Sequence, residues 1–392
     1  MIGAGWILSA LWFIIEWPRP YSKGMWWRQW GWWFIVFLSV WLWACDEPKT
    51  ITETEYVDRD VCITEPYSTK IVYSEDLGEF TPEQQDELRT KGYITMRLFY
   101  SPRNAGQIWV QAGTPSFGTS TIADVTFGGG KFVAVGYSGK IGFSSDGDTW
   151  TQAATPSFGT STIDGITYGG STFVAVGDDG KIGFSSDGDT WTQAATPSFS
   201  TTFIRSVAYG NSLFVAVGLS GKIGFSSDGD TWTQAATPSF GTSMVTDVVY
   251  GNSLWVAVGE SGKIAYSSDG DTWTQAATPS FSTTLIRDVA FGNGIFVAVG
   301  YSGKIAYSSD GDTWTQAATP SFGTSNIYGV TYWDGRFVAV ATSGKIAFSL
   351  DGNTWTQATT PSFSTTPINS VVYGLGRFVA VGESGKIAFS ID

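Results

Sequence analysis

Seven tryptophans mark a period along this chain. Trp109, Trp150, Trp191, Trp232, Trp273, Trp314 and Trp355 follow one another at intervals of 41 residues. The segment Trp-Thr-Gln-Ala-Ala-Thr-Pro-Ser-Phe at 150–158 returns unchanged at 191–199, 232–240, 273–281 and 314–322. One such unit cannot bury its apolar face alone, so neighbouring copies must supply the core. A unit of about 40–50 residues is the size of a four-stranded propeller blade.

Each unit offers four short strands. In the second they are expected at Ile163–Tyr168, Thr172–Gly177, Lys181–Ser185 and Thr190–Ala194. Gly, Ser, Asp and Pro fill the connections, as tight turns require. Phe173-Val174-Ala175-Val176 is a continuous apolar run, expected of a strand covered on both faces. Pro156 and its counterparts stop the fourth strands, since proline cannot donate to a ladder. The last unit ends at Asp392, before a tryptophan that would fall at 396, while an extra fourth strand, Gln107–Gln111, precedes the first complete unit. The expected fold is therefore an all-β, seven-bladed β-propeller over residues 107–392, closed by its N-terminal strand. Closure removes exposed sheet edges. A linear β-solenoid is the alternative, though it needs no split unit.

The hairpin before each tryptophan reads Ser144-Ser145-Asp146-Gly147-Asp148-Thr149-Trp150 and recurs at 185–191, 226–232, 267–273 and 308–314. It changes to Ser349-Leu350-Asp351-Gly352-Asn353-Thr354-Trp355 in the sixth unit. An Asp carboxylate accepts N–H groups inside such a turn, Gly tolerates positive φ, and Trp packs between sheets. The motif resembles the Asp box of BNR-repeat, sialidase-like propellers. The resemblance implies a structural box placed away from any active site. Calcium is the competing reading of Asp-Gly-Asp, but it needs six to eight oxygens where one hairpin offers two carboxylates.

Because the units are nearly identical, their differences stand out. One place holds Thr121, Thr162, Phe203, Met244, Leu285, Asn326 and Pro367. Two residues on stand Ala123, Asp164, Arg205, Thr246, Arg287, Tyr328 and Asn369. A third place holds Tyr137, Asp178, Leu219, Glu260, Tyr301, Thr342 and Glu383. In an up-and-down blade all three places fall at one mouth of the central channel, with the Asp boxes at the opposite end. The candidate ligand-binding residues are Asp164, Arg205, Arg287, Tyr328, Asn369, Tyr137, Asp178, Glu260, Tyr301 and Glu383. Neutral variation of exposed positions is the alternative, and the turn carrying Lys131, Leu213, Arg336 and Arg377 varies as well.

The remaining sequence is of another kind. Residues 1–45 hold ten of the 19 tryptophans and contain two apolar runs, Ile2–Trp17 and Gly31–Ala44. Both fall short of the ~20 residues of a spanning helix. Starting from Met25, Arg28 and Trp32–Trp43 have the shape of a signal peptide. Leu42-Trp43-Ala44-Cys45 resembles a bacterial lipobox, which implies lipidation at Cys45. An uncleaved hydrophobic anchor is the alternative. Either way the charge bias leaves the rest of the chain outside, facing the periplasm or cell exterior. Residues 46–106 read as an acidic α+β stalk, with an extended Thr50–Glu65, a helix from Thr81 to Lys91 and a strand at Tyr93–Tyr100. Cys62 reads as a half-buried strand residue or as a thiol pairing between chains.

Composition narrows the function. The chain has no His and two Cys, which excludes His-based triads, His-ligated zinc and disulfide frameworks within one chain. A net charge of −13 argues against a nucleic-acid groove. No cofactor or metal is implied. The expectation is a tethered, monomeric, non-enzymatic propeller binding a protein or glycan at its mouth, with the membrane engaged through the N-terminus. A second resemblance, to photosystem II stability/assembly factors, rests on the seven Asp-box blades and the lipidated N-terminus, and implies partner binding. A sialidase-like hydrolase, using arginines, a Tyr/Glu pair and an acidic residue, is one alternative, and Asp164 with Asp178 is a possible carboxylate pair. A structural component of an envelope or virion complex is the other.

Overall fold

The computed structural model describes residues 108–391, apart from short stretches at 114–115, 155–157, 196–198, 237–238, 278–280, 319–320 and 359–362. Before them it describes four short strands: Leu42–Ala44 pairs with Glu47–Lys49, and Tyr67–Ser68 with Leu98–Phe99. The expected helix at Thr81–Lys91, the extended Thr50–Glu65, both apolar runs up to Leu42, Cys45 and Cys62 lie outside the described residues. The chain divides into two units, Met1–Ser101 and Pro102–Asp392. Among the described residues no helix is long and apolar enough to cross a membrane.

The second unit is the expected seven-bladed all-β propeller. Seven four-stranded antiparallel sheets follow one another. Blade 1 comprises Ile122–Gly128, Lys131–Gly136, Ile141–Ser144 and Thr151–Gln152. Blade 7 takes Ile368–Gly374, Arg377–Gly382 and Ile387–Ile391 from the C-terminal end, and Ile108–Gln111 as its outermost strand. The register runs from Ala388↔Gln111 to Ile391↔Ile108, so chain ends nearly 300 residues apart share one sheet.

In blade 2 the first strand runs one residue further than expected, to Gly169, the third starts a residue later and the fourth is shorter at both ends. Hydrogen bonds explain the two later starts. The fourth strand of blade 2 is only Thr192–Gln193. The Thr190 N–H is committed to Asp187 Oδ1 in the box, at 2.9 Å, and cannot join the ladder. The third strand starts at Ile182, because the Lys181 N–H closes a 3₁₀ turn on the Asp178 carbonyl at 3.2 Å.

The core consists of seams between blades. In one seam, Val174, Val176 and Ile182 of blade 2 meet Val207, Phe214, Ala216 and Trp232 of blade 3. The second strand is buried along most of its length, as its apolar run implied. Each buried Phe or Val here contributes roughly 1.5–3 kcal/mol by leaving water. At the far end of the innermost strands, a glycine in six of the seven seams admits the next blade's ring. A Cβ on Gly169 would lie 1.9 Å from Tyr209 Cγ. Blade 6 alone has Trp333 at this place. Its ring stacks on Tyr373 at 4.7 Å and 14°, and is half exposed.

Candidate functional site

The mouth is shaped by a bulge repeated in every blade. In blade 1 the pairing passes from Ile122↔Gly136 to Asp124↔Val135, leaving Ala123 as the extra residue. The other six innermost strands slip at the same place. The bulged residues are Asp164, Arg205, Thr246, Arg287, Tyr328 and Asn369, so the most chemically varied place in the repeat is the bulge itself. A bulge leaves one residue out of the ladder and re-aims its side chain. The third variable place sits in the 3₁₀ turn beside it: the Tyr137 N–H donates to the Thr121 carbonyl at 3.0 Å, and the pattern recurs in all blades.

The predicted site residues fall into two groups. In blades 2 and 3, Asp164 Oδ2 lies 3.0 Å from Arg205 Nη1. Burial pushes the Asp164 carboxyl up to about 6, while the Arg205 guanidinium pulls it down and Asp178 adds an upward push. Beyond that ion pair, Asp164 Oδ2 and Arg205 Nε are buried with no other hydrogen-bond partner. The Arg205 guanidinium also approaches the Phe203 ring at 5.9 Å.

In blades 5 and 6, Arg287 lies over the Tyr328 ring at 5.9 Å, and Tyr301 sits 6.2 Å from Tyr328. Burial raises the Tyr328 hydroxyl, with Tyr301 and Glu383 adding to the shift. Asn326 Oδ1 holds the Ser302 N–H at 3.0 Å. Other predicted residues bridge backbone. Asn369 Nδ2 donates to the Ile122 carbonyl across the blade 7 to blade 1 junction at 2.8 Å, and Glu260 accepts the Met244 N–H at 3.3 Å. Tyr137 is half exposed.

Sequence comparison between blades missed two rings. One lies a residue beyond the bulge, where Asp124, Gly165, Ser206, Asp247, Asp288, Gly329 and Ser370 follow around the channel. Asp124 accepts the N–H of Ile166 in the next blade at 2.9 Å and the Ser370 hydroxyl from the preceding one at 2.6 Å. Asp288 accepts the Val330 N–H at 2.6 Å, and Asp247 accepts the Ser206 hydroxyl. Burial pushes Asp124 up to about 6. Asp247 is raised well above the usual carboxylate range, by burial first and then by its neighbour Asp288. Three aspartates at one place in an otherwise apolar strand were the available signal.

The second ring hides in constancy. Lys140, Lys181, Lys222, Lys263, Lys304, Lys345 and Lys386 stand immediately before the third strands at the mouth end. Each Nζ donates to the carbonyl of a buried phenylalanine, as Lys222 does to Phe199 at 2.9 Å. A residue unchanged in all seven units is invisible to a search for differences.

At the other end, the boxes behave as turn chemistry. Asp228 Oδ1 accepts the N–H groups of Asp230 and Thr231 and the Ser226 hydroxyl, at 2.8–2.9 Å. These bonds hold its carboxyl below the usual range. The second box residue reaches the preceding blade: Asp230 Oδ1 accepts the Ala195 N–H at 2.6 Å. Among the described residues no cluster of three or more Asp, Glu, Cys or His is arranged to hold a metal ion.

Known proteins can be set beside this geometry. The DUF6242 β-propeller domain family matches residues 196–310. No curated protein sequence matches the chain. Solved propellers resemble it in fold. YCF48 bound to D1 peptide is 17% identical, with a TM-score of 0.59 over 74% of this chain and 99% of that one. YCF48 from Cyanidioschyzon merolae is also 17% identical, with a TM-score of 0.58 over 72% and 98%. Virginiamycin B lyase from Staphylococcus aureus is 13% identical, with a TM-score of 0.62 over 72% and 99%. At these identities the likeness is one of fold, shared by a peptide-bound protein and an enzyme alike.

Proposed function

We propose that this propeller is a non-enzymatic binding module that takes a polypeptide at its mouth, and that its N-terminal region tethers it to a membrane outside the cytoplasm. The observation carrying this reading is the placement of the variable residues. The scaffold repeats almost verbatim, while the chemically diverse side chains stand on seven bulges around one opening. Arg205 Nε, buried without a hydrogen-bond partner, adds unmet capacity there. The peptide-bound YCF48 structure is a precedent for the fold in this use. For the enzymatic neighbour, a catalytically inactive His-to-Ala variant has been crystallised with quinupristin, and the present chain contains no histidine. Glycan binding is the competing ligand class, and an assembly role is one consequence of binding a protein.

The test is a capture experiment with the full chain in detergent micelles. Immobilised protein is exposed to envelope extract and, separately, to a glycan array. The control is an Arg287→Ala/Tyr328→Ala variant whose thermal melt matches the parent. A protein bound by the parent and lost by the variant is the expected result. A glycan signal lost in the variant would replace the polypeptide reading. Capture indifferent to the variant would remove the mouth as the site.

A further inference from the structure

We infer that the mouth end is built to receive an acidic polypeptide segment. This rests on the mouth being the binding site and names the chemistry of its ligand. The propeller is acidic as a whole, but the up-and-down topology sorts its charges by end. At the mouth end, the seven ring lysines with Arg205 and Arg287 outnumber Asp164, Asp178, Asp179, Glu260 and Glu383. At the other end, eleven Asp-box carboxylates and Asp334 face only Lys131, Arg336 and Arg377. The mouth end thus carries four excess positive charges at its rim, reduced to one when the channel-wall Asp124, Asp247 and Asp288 just inside it are all ionised, and the box end nine excess negative ones. The net charge of the chain conceals this separation.

The lysine charges are not cancelled locally. Each Nζ rests on a neutral carbonyl, with a Ser161 or Thr366 hydroxyl added in two blades. Among the described residues, none of these lysines forms an ion pair with a carboxylate. Arg205 is neutralised by Asp164, but Arg287 lies over the Tyr328 ring at 5.9 Å with no carboxylate within ion-pair distance among the described residues. An oriented cation beside an aromatic face is a ready partner for a ligand carboxylate. A rim with excess positive charge also steers an oppositely charged partner, within a screening length of about 8 Å at physiological salt.

Apolar side chains make the ligand a polypeptide and not a simple polyanion. Phe203, Met244 and Leu285 occupy the same place in three successive blades, and Phe203 is 36% exposed. They form an arc that leads to Tyr301 and Tyr328. Glu260 and Glu383 interrupt the cationic field, which disfavours a uniform phosphate backbone or an anionic bilayer. A segment carrying Asp or Glu beside Leu or Phe satisfies both parts of the surface.

The experiment selects from a displayed library of random peptides against the full chain in detergent micelles, and reads the composition of the enriched peptides. Enrichment of Asp and Glu beside apolar residues is expected. Binding of these peptides should weaken about tenfold with Arg287→Gln and fall as salt is raised, whereas Arg377→Gln at the box end should leave it unchanged. Basic or uncharged peptides that still depend on Arg287 would overturn the charge inference and leave the mouth as the site. Enriched peptides indifferent to Arg287→Gln, or an empty selection, would overturn both. Binding to phosphatidylserine vesicles without acidic-peptide binding would show that a lipid surface is the partner and refute the proposal.

Discussion

Asp247 and Asp288 stand on neighbouring blades and share one donor: the Val289 N–H lies 2.9 Å from Oδ2 of the first and 2.8 Å from Oδ1 of the second. Asp247 holds its proton well above the usual carboxylate range, because burial first and the neighbouring Asp288 carboxylate second disfavour its charged form. The Val289 N–H and the Ser206 hydroxyl tie Asp247 to both neighbouring blades.

This sets the pH profile of stability. Asp124 is raised to about 6, so the folded state binds its proton more tightly than the unfolded chain does. Stability from this group is complete below the unfolded value near 4 and is lost as pH rises through about 6. Asp247 shifts in the same direction. The first carboxyls of the six boxes are lowered, so their contribution is present above about 4 and lost below it. Maximum stability is expected near pH 4. Asp247→Asn substitutes a neutral amide for a group that must hold a proton. Urea unfolding should show the variant about 1–2 kcal/mol more stable than the parent at pH 8, with little difference at pH 4.5. A variant weaker at both values would refute the protonated state of Asp247.

Arg205 should matter in the same pH window through a different contact. Arg205→Ala leaves the Asp164 carboxylate half-sequestered and unpaired, so its proton affinity rises further. Because Arg205 keeps part of its surface in water, the cost at pH 8 is expected to be only about 1–2 kcal/mol. Below pH 5 both proteins carry a protonated Asp164, and the difference should largely vanish. Denaturation curves at the two pH values provide the check, and an equal loss at both would assign Arg205 a packing role.

Trp255 is a local conflict in the core. Its counterparts in the other blades are phenylalanines, and it is fully buried with no partner for its indole N–H. An unmet buried donor costs about 1–3 kcal/mol. Trp255→Phe removes the donor and opens a small cavity, and the two effects oppose each other. We expect the variant to be as stable as the parent or about 1 kcal/mol more stable in thermal melts. A loss above about 2 kcal/mol would show that the indole volume outweighs its orphaned group.

The Asp boxes make a claim that a chelator can test. Each first carboxylate is occupied by two backbone N–H groups and a serine hydroxyl, as in Asp228. Asp228→Ala should cost about 1–2 kcal/mol, as loss of a capping carboxylate does elsewhere. Millimolar calcium or EDTA should leave the melting temperature of the parent unchanged. A calcium-dependent rise abolished by Asp228→Ala would establish the box as a cation site.

The repeat made the blades legible because strand, turn and proline all recur with one period, so local and global signals agree. Closure was legible from a strand copy at 107–111 and an incomplete last unit. The limits of the fourth strands were not, because the box carboxylates capture N–H groups that propensity assigns to the ladder. At the mouth, differences between units led to the bulge residues. The same method passed over Asp124, Asp247 and Asp288, whose roles come from the neighbouring blade, and over seven identical lysines. Asn369 varies in sequence yet serves a blade junction, so variation and ligand contact are separate properties.

Ring closure itself is open to a controlled comparison. Trp109 is buried in the seam with Val338, Val340, Ile346, Phe378 and Ala388, and Trp232 occupies the equivalent place between blades 2 and 3. Trp109→Ala and Trp232→Ala delete the same side chain from equivalent surroundings, at an expected ~3–5 kcal/mol each. The consequences should differ, because Trp232 sits on a strand continuous with its blade whereas Ile108–Gln111 is held to Ile387–Ile391 across the chain ends. In native-state hydrogen exchange, Trp109→Ala should speed exchange along Ile387–Ile391 far more than Trp232→Ala speeds it in blade 3. Equal, local effects in the two variants would mean that closure depends on the whole ring of seams, with no special dependence on the returning strand.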